Sequence, residues 1–180
     1  MVITIFGSAF TSPDNQIYKD AELLGSMIAK KDFAVCSGGY LGIMEAVSKG
    51  AAKENARLYG QGKVIGVTVK EWNKPPNEFL TEEIPCNNLM ERILKLIELG
   101  DAYLVFKGGT GTLVEIATTL ELMNKNVLKE KQMFFYQDIW KPVIETLKKD
   151  SERLKELIER NVKFISSPDE LQQILQNKTL

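Results

Sequence analysis

Short runs of apolar, often β-branched residues alternate along this chain with longer segments in which apolar residues recur every three or four positions. The short runs are VITIF at 2–6, FAVCS at 33–37, KVIGVTV at 63–69, AYLVF at 102–106, QMFFY at 132–136 and VKFI at 162–165. Each is predicted to be a strand. Between them lie helical patterns. Residues 15–31 place Ile17, Ala21, Leu24, Met27 and Ile28 on one stripe. Further helices are predicted over about 41–55, 88–100, 111–124, 138–149, 151–160 and 168–177. Gly100 is a natural C-cap, Pro142 falls early enough in its helix to be tolerated, and Pro168 opens the last one. Residues 70–85 hold Pro75, Pro76 and Pro85 and read as an irregular connection.

Strands that alternate with helices imply an α/β fold: a doubly wound parallel sheet with helices on both faces. The sequence shows no repeat, no low-complexity tract and no second compositional regime, so residues 1–180 are expected to form a single domain. In such sheets ligands bind beyond the carboxyl ends of the strands. Three glycine-containing turns are predicted at those ends: GSAF at 7–10, SGGYLG at 37–42 and GGTGT at 108–112.

Composition narrows the chemistry. Lys plus Arg is 23 and Asp plus Glu is 24, for a net charge of −1, with no basic arm. That argues against nucleic acid as a partner and leaves room for a small anion held by a few donors. The absence of histidine excludes Ser-His-Asp and Cys-His triads, and two cysteines cannot complete a structural zinc site. No metal is expected, and acid–base work must fall to carboxylates, Lys, Tyr or Cys. Cys36 and Cys86 alone in a chain of this length fit a reduced, cytoplasmic protein. The N-terminus lacks a charged n-region, and no apolar run is long enough to span a membrane.

The stretch KGGTGTLVE at 107–115 carries the most chemistry. Glycines let backbone approach a ligand closely, and a turn that feeds a helix offers unpaired N–H groups and the helix dipole to an anion. Gly108, Gly109, Gly111 and the hydroxyls of Thr110 and Thr112 are therefore candidate phosphate ligands. The motif is neither a Walker loop, since Lys107 precedes the glycines, nor a dinucleotide fingerprint, since GSAFTS follows the first strand. Glu115 lies on nearly the same helical face as the turn. It is either an ordinary first-turn glutamate or an acid aimed at the crevice. Arg92 sits early in its helix, where the dipole disfavours a cation, so it needs a local partner, whether Glu91 or another neighbour. Met44 fits packing.

Together, SGGYLGIMEAVSKGA at 37–51, MER at 90–92 and GGTGTLVE at 108–115 resemble the LOG ("Lonely Guy") family, formerly labelled "possible lysine decarboxylase". The similarity covers about the first 150 residues. It implies a Rossmann-like fold, a homodimer and cleavage of nucleoside 5′-monophosphates to a free base and ribose 5-phosphate. On that resemblance Arg92 and Glu115 match the catalytic pair, and Gly108, Gly109, Gly111 and Thr112 hold the 5′-phosphate. Ser8, Gly38 and Gly39 line the nucleotide site. The chain departs from the family pattern at Ser37, Lys107 and Val114. Those departures keep a second reading open: a non-catalytic nucleotide- or cofactor-binding carrier or sensor, similar to molybdenum-cofactor carriers. The decarboxylase label fails on chemistry, because no lysine stands in a pyridoxal-phosphate motif; no cofactor is expected.

Overall fold

The computed structural model describes residues 1–58 and 62–176. In chain order its elements are β1 (Val2–Phe6), α1 (Gln16–Lys30), β2 (Ala34–Ser37), α2 (Ile43–Arg57), β3 (Val64–Val69), a 3-10 turn (Lys70–Trp72) and β4 (Glu82–Cys86). There follow α3 (Leu89–Leu99), β5 (Ala102–Val105), α4 (Thr110–Asn124), β6 (Met133–Tyr136), α5 (Lys141–Leu147), α6 (Glu152–Asn161), β7 (Val162–Ile165) and α7 (Pro168–Gln176). Residue 177, the expected end of the last helix, lies outside the described residues.

The strands form one parallel sheet in the order β4-β3-β2-β1-β5-β6-β7. This is the Rossmann-like, doubly wound architecture that the alternating pattern predicts. Strand order reverses between β1 and β5, which pair from Ile3↔Ala102 to Phe6↔Val105. Successive side chains of a strand point to opposite faces, and β5 shows it. Ala102 and Leu104 join the core under α1, α2 and α7. Tyr103 and Val105 join the core under α3 to α6.

The sheet has one strand more than the sequence pattern predicts. Residues 82–86 fall in the stretch expected to be irregular, yet they form β4, paired with β3 from Ile65↔Glu82 to Val69↔Cys86. EEIPC lacks a strand's usual signature because β4 is an edge strand, where charge and proline are tolerated and guard against edge-to-edge pairing.

On one face, α1 and α2 cross at glycine contacts. A Cβ on Gly25 would strike the Val47 carbonyl, and one on Gly50 would strike the Glu22 carbonyl. Close approach explains glycine inside two helices better than backbone conformation does. Gly50→Ala is therefore expected to destabilise the fold by about 1–3 kcal/mol through overpacking, although alanine is the better helix former. Thermal denaturation checks it; an unchanged or raised Tm would show that the helices separate at no cost.

Candidate active site

The carboxyl ends of β1, β2, β3 and β5 converge on one cavity of about 580 Å³, within the range of small-molecule sites. It lies at the reversal of strand order, where an open α/β sheet leaves a crevice. All three glycine turns sit at these strand ends. The turn after β1 is stitched to both neighbours: Ser8 N–H donates to Lys107 O at 3.0 Å, and Ile43 N–H donates to Ser8 O at 2.9 Å. Gly42, at φ +69, lets α2 begin against that turn, since a Cβ there would strike Ser8 O.

Arg92 reaches the cavity from the start of α3. The helix is anchored by Asn88, whose side chain accepts from Glu91 N–H at 2.9 Å. Glu91 in turn accepts from Asn87 N–H, just ahead of the N-cap, at 2.8 Å. Glu91 is therefore occupied at the helix end, and Arg92 finds its partners inside. Its Nε donates to Val67 O at 2.7 Å, and Nη2 faces Met44 Sδ at 3.7 Å. The rings of Tyr40 and Trp72 lie 5.7 and 5.6 Å from its guanidinium carbon. These contacts offset the helix dipole and the loss of water. Burial pulls the guanidinium below its ordinary pKa, and Glu115 opposes that shift.

Glu115, 8% exposed, faces Arg92 with Oε1 3.9 Å from Nη1. This separation makes an ion pair and is too long for a hydrogen bond. Burial pushes the Glu115 carboxyl up to about 7, and the Arg92 charge only partly counters it. The site thus holds a carboxylate poised near neutrality, without histidine.

One turn earlier lies the start of α4. Gly109 is its N-cap and supplies no side-chain cap. The first intrahelical bond runs from Leu113 N–H to Gly109 O at 3.0 Å, so the amides of Thr110, Gly111 and Thr112 precede it. A Cβ on Gly109 or Gly111 would meet no atom within 4 Å. Neither a positive φ nor packing requires glycine at these two positions. What they leave is open space against backbone donors.

Of the residues expected to form the site, Ser8, Arg92, Gly109, Thr110, Gly111, Thr112 and Glu115 line the cavity together. Gly38, Gly39 and Gly108 do not; they stand behind it. A Cβ on Gly108 would strike the Thr112 hydroxyl, and Gly39, at φ +76, packs on Gly66. A Cβ on Gly38 would collide with Arg92 Nη2. Gly38→Ala is accordingly expected to displace the guanidinium. If Arg92 orients a substrate, the variant lowers kcat/KM by about 10²-fold and leaves far-UV circular dichroism unchanged. Wild-type kinetics from this variant would show that Arg92 needs no fixed place.

Sequence reasoning missed part of the wall. Met44, expected as packing, lines the cavity, and so do Tyr40, Trp72, Pro75 and Pro76. The double proline close to a tryptophan was the available signal in the irregular stretch. Among the described residues, no group of three potential ligands could hold a metal ion. No helix among them is long and apolar enough to cross a membrane.

Fold and crevice define a Rossmann-like α/β protein with its candidate site at the reversal of strand order. The chain belongs to the SLOG cluster4 family, which matches residues 1–164; the LOG resemblance read from its glycine turns holds. It is 27% identical over 117 residues to "Pyrimidine/purine nucleotide 5'-monophosphate nucleosidase" of Escherichia coli (strain K12), covering 63% of this chain and 26% of that protein. It is 29% identical over 122 residues to "Cytokinin riboside 5'-monophosphate phosphoribohydrolase" of Rhodococcoides fascians, covering 66% and 59%. The chain thus spans about a quarter of the length of the first relative. The molybdenum cofactor binding protein of Rippkaea orientalis shares the fold at a TM-score of 0.68 and 23% identity, covering 99% of this chain and 97% of that one.

Proposed function

We propose that this chain hydrolyses the N-glycosidic bond of nucleoside 5′-monophosphates, AMP-like nucleotides first, to a free base and ribose 5-phosphate. The observation that carries the reading is Glu115: a buried carboxylate 3.9 Å from Arg92, one helical turn beyond the backbone donors that open α4. Cleavage of an N-glycosidic bond builds positive charge on the sugar. A carboxylate beside C1′ stabilises that charge, attacks it, or activates water. Arg92 orients the ribose or its phosphate and favours the ionised form of Glu115. The start of α4 anchors the phosphate, so binding energy from a remote group orients the reacting bond. The names of the two curated relatives agree with this chemistry.

The fold likeness to molybdenum-cofactor binding proteins keeps a carrier as the rival. The buried Arg92–Glu115 pair favours the enzyme, because a carrier of an anion gains nothing from a buried carboxylate near its ligand. The test is release of free base from each of the four 5′-monophosphates by wild type and Glu115→Gln. Base and ribose 5-phosphate released in equal amounts by wild type, and at least about 10²-fold more slowly by Glu115→Gln, support the enzyme. Thermal stabilisation by nucleotide with no base released, at high enzyme and across pH, supports the carrier.

A homodimer and a cytoplasmic location belong to the same proposal. Leu89, Met90 and Leu94 on α3, with Leu113 and Val114 on α4, are exposed apolar residues that a second copy would cover. Light scattering tests this, with twice 20.3 kDa expected.

A further inference from the structure

The segment 70–76 is held at both ends by the turn that follows β2. At its start, Val69 N–H donates to the Tyr40 hydroxyl at 2.9 Å. At its end, Asn77 N–H donates to Gly39 O at 2.8 Å, and Asn77 Nδ2 donates to Tyr40 O at 3.1 Å. Asn77 is itself buried. Between these anchors Asn73 takes a left-handed conformation, φ 47, and Pro75 and Pro76 stiffen the chain on its way to Asn77. The segment is therefore a strap of fixed shape, and it carries Trp72 over the cavity. The Trp72 ring lies 5.5 Å from the Tyr40 ring at an interplanar angle of 33°. It remains 40% exposed, although indole is a side chain that proteins usually cover.

The two ends of the cavity differ in chemistry. The backbone donors of α4 follow β5, and the strap follows β3. Those strands are three positions apart in the sheet, a span of roughly 14 Å. Arg92 and Glu115 lie between, each tied by contact to one end. Around the strap the wall is Tyr40, Leu41, Trp72, Lys74, Pro75 and Pro76. Among the described residues, no Asn, Gln or Asp side chain lines the cavity, and the Tyr40 hydroxyl is committed to Val69. This wall offers π-faces and apolar edges, with the Lys74 ammonium as the charged donor of the strap.

Resting on the function proposed above, we infer that Trp72 is the specificity-determining residue, the platform on which the nucleobase stacks. A ligand with phosphate at α4 and its glycosidic bond at Glu115 has its base directed to the strap. Stacking on an aromatic face tolerates any flat heterocycle. Selection then follows stacking area, so purines bind above pyrimidines.

The experiment measures dissociation constants of AMP and ribose 5-phosphate by calorimetry, in Glu115→Gln protein so that AMP is not consumed. Trp72→Ala or Trp72→Phe is then added, and wild type is titrated with ribose 5-phosphate as reference. Trp72→Ala is expected to weaken AMP by about 5- to 150-fold, the range of single-base stacking. Ribose 5-phosphate stays within about twofold, which also reports an intact fold, and Trp72→Phe retains most of the AMP affinity. If Trp72→Ala weakens both ligands equally, or neither, Trp72 only shields Arg92: the inference fails and the function stands. If Glu115→Gln does not bind AMP and wild type does not bind ribose 5-phosphate, both fail together.

Discussion

Replacing Glu115 by glutamine is expected to lower kcat/KM for AMP by about 10²–10⁴-fold, the range for a positioned acid–base group. The amide keeps the shape of the side chain and loses the charge that a developing oxocarbenium ion needs. Affinity for ribose 5-phosphate should change little, because the proposed phosphate anchor at the start of α4 lies a turn away. The wild-type pH profile carries the same information. With the carboxyl at about 7, the ionised form grows tenfold per pH unit below that value and saturates above it. Turnover that depends on the carboxylate therefore rises with pH and levels off near 7, and the residual rate of Glu115→Gln lacks that limb. A wild-type profile that falls as pH rises through 7 would assign Glu115 to proton donation instead and overturn its role as the charge-stabilising group.

Stability moves the opposite way. Folding raises the Glu115 pKa from 4.5 to about 7, so between those values the native state holds a proton that the unfolded chain has released. Its contribution to stability is fully present below about 4.5 and is lost as pH rises through 7. The shift corresponds to about 3 kcal/mol. Relative to Glu115→Gln, wild type should lose that amount between pH 4.5 and pH 8. For a domain of this size the effect is about 6–12 °C in Tm. The variant that slows turnover should thus be the more heat-stable at alkaline pH relative to its standing at pH 4.5. Parallel Tm curves for the two proteins would show that Glu115 carries no raised pKa.

The sequence made the layers of this fold legible wherever burial is symmetric. VITIF and AYLVF are apolar on both faces because both faces are covered, and the helices between them declare a stripe. β4 escaped notice because an edge strand need satisfy only one neighbour, so Glu82, Glu83 and Pro85 are acceptable there. At the site, the glycine turns were legible because close approach restricts residue choice. The burial of Arg92 was legible in principle: it precedes Leu96 by four residues and so falls on the apolar stripe of α3. Its neighbours were not. Tyr40 and Met44 come from the stretch after β2, Val67 and Trp72 from β3 and the turn that follows it, and no local pattern announces a contact that only the sheet brings about.

The sharpest separation of folding from function is expected at Gly109 and Gly111. A methyl group at either position enters empty space, so the free protein has no packing reason to resist it. Gly111 lies inside α4, where alanine is favoured over glycine by about 0.5–1 kcal/mol. The double variant Gly109→Ala/Gly111→Ala should therefore fold with a Tm equal to or above that of wild type. The same two methyl groups would occupy the space in which a phosphate meets the amides of Thr110, Gly111 and Thr112. Loss of such preorganised donors costs about 10²–10³-fold, so kcat/KM for AMP should fall by that factor and ribose 5-phosphate should no longer bind. Glycine at these positions is then explained by the ligand, since the protein's own packing and backbone supply no reason for it. Undiminished ribose 5-phosphate binding in the double variant would mean that the anion is held elsewhere in the cavity, and the assignment of α4 as its anchor would fall.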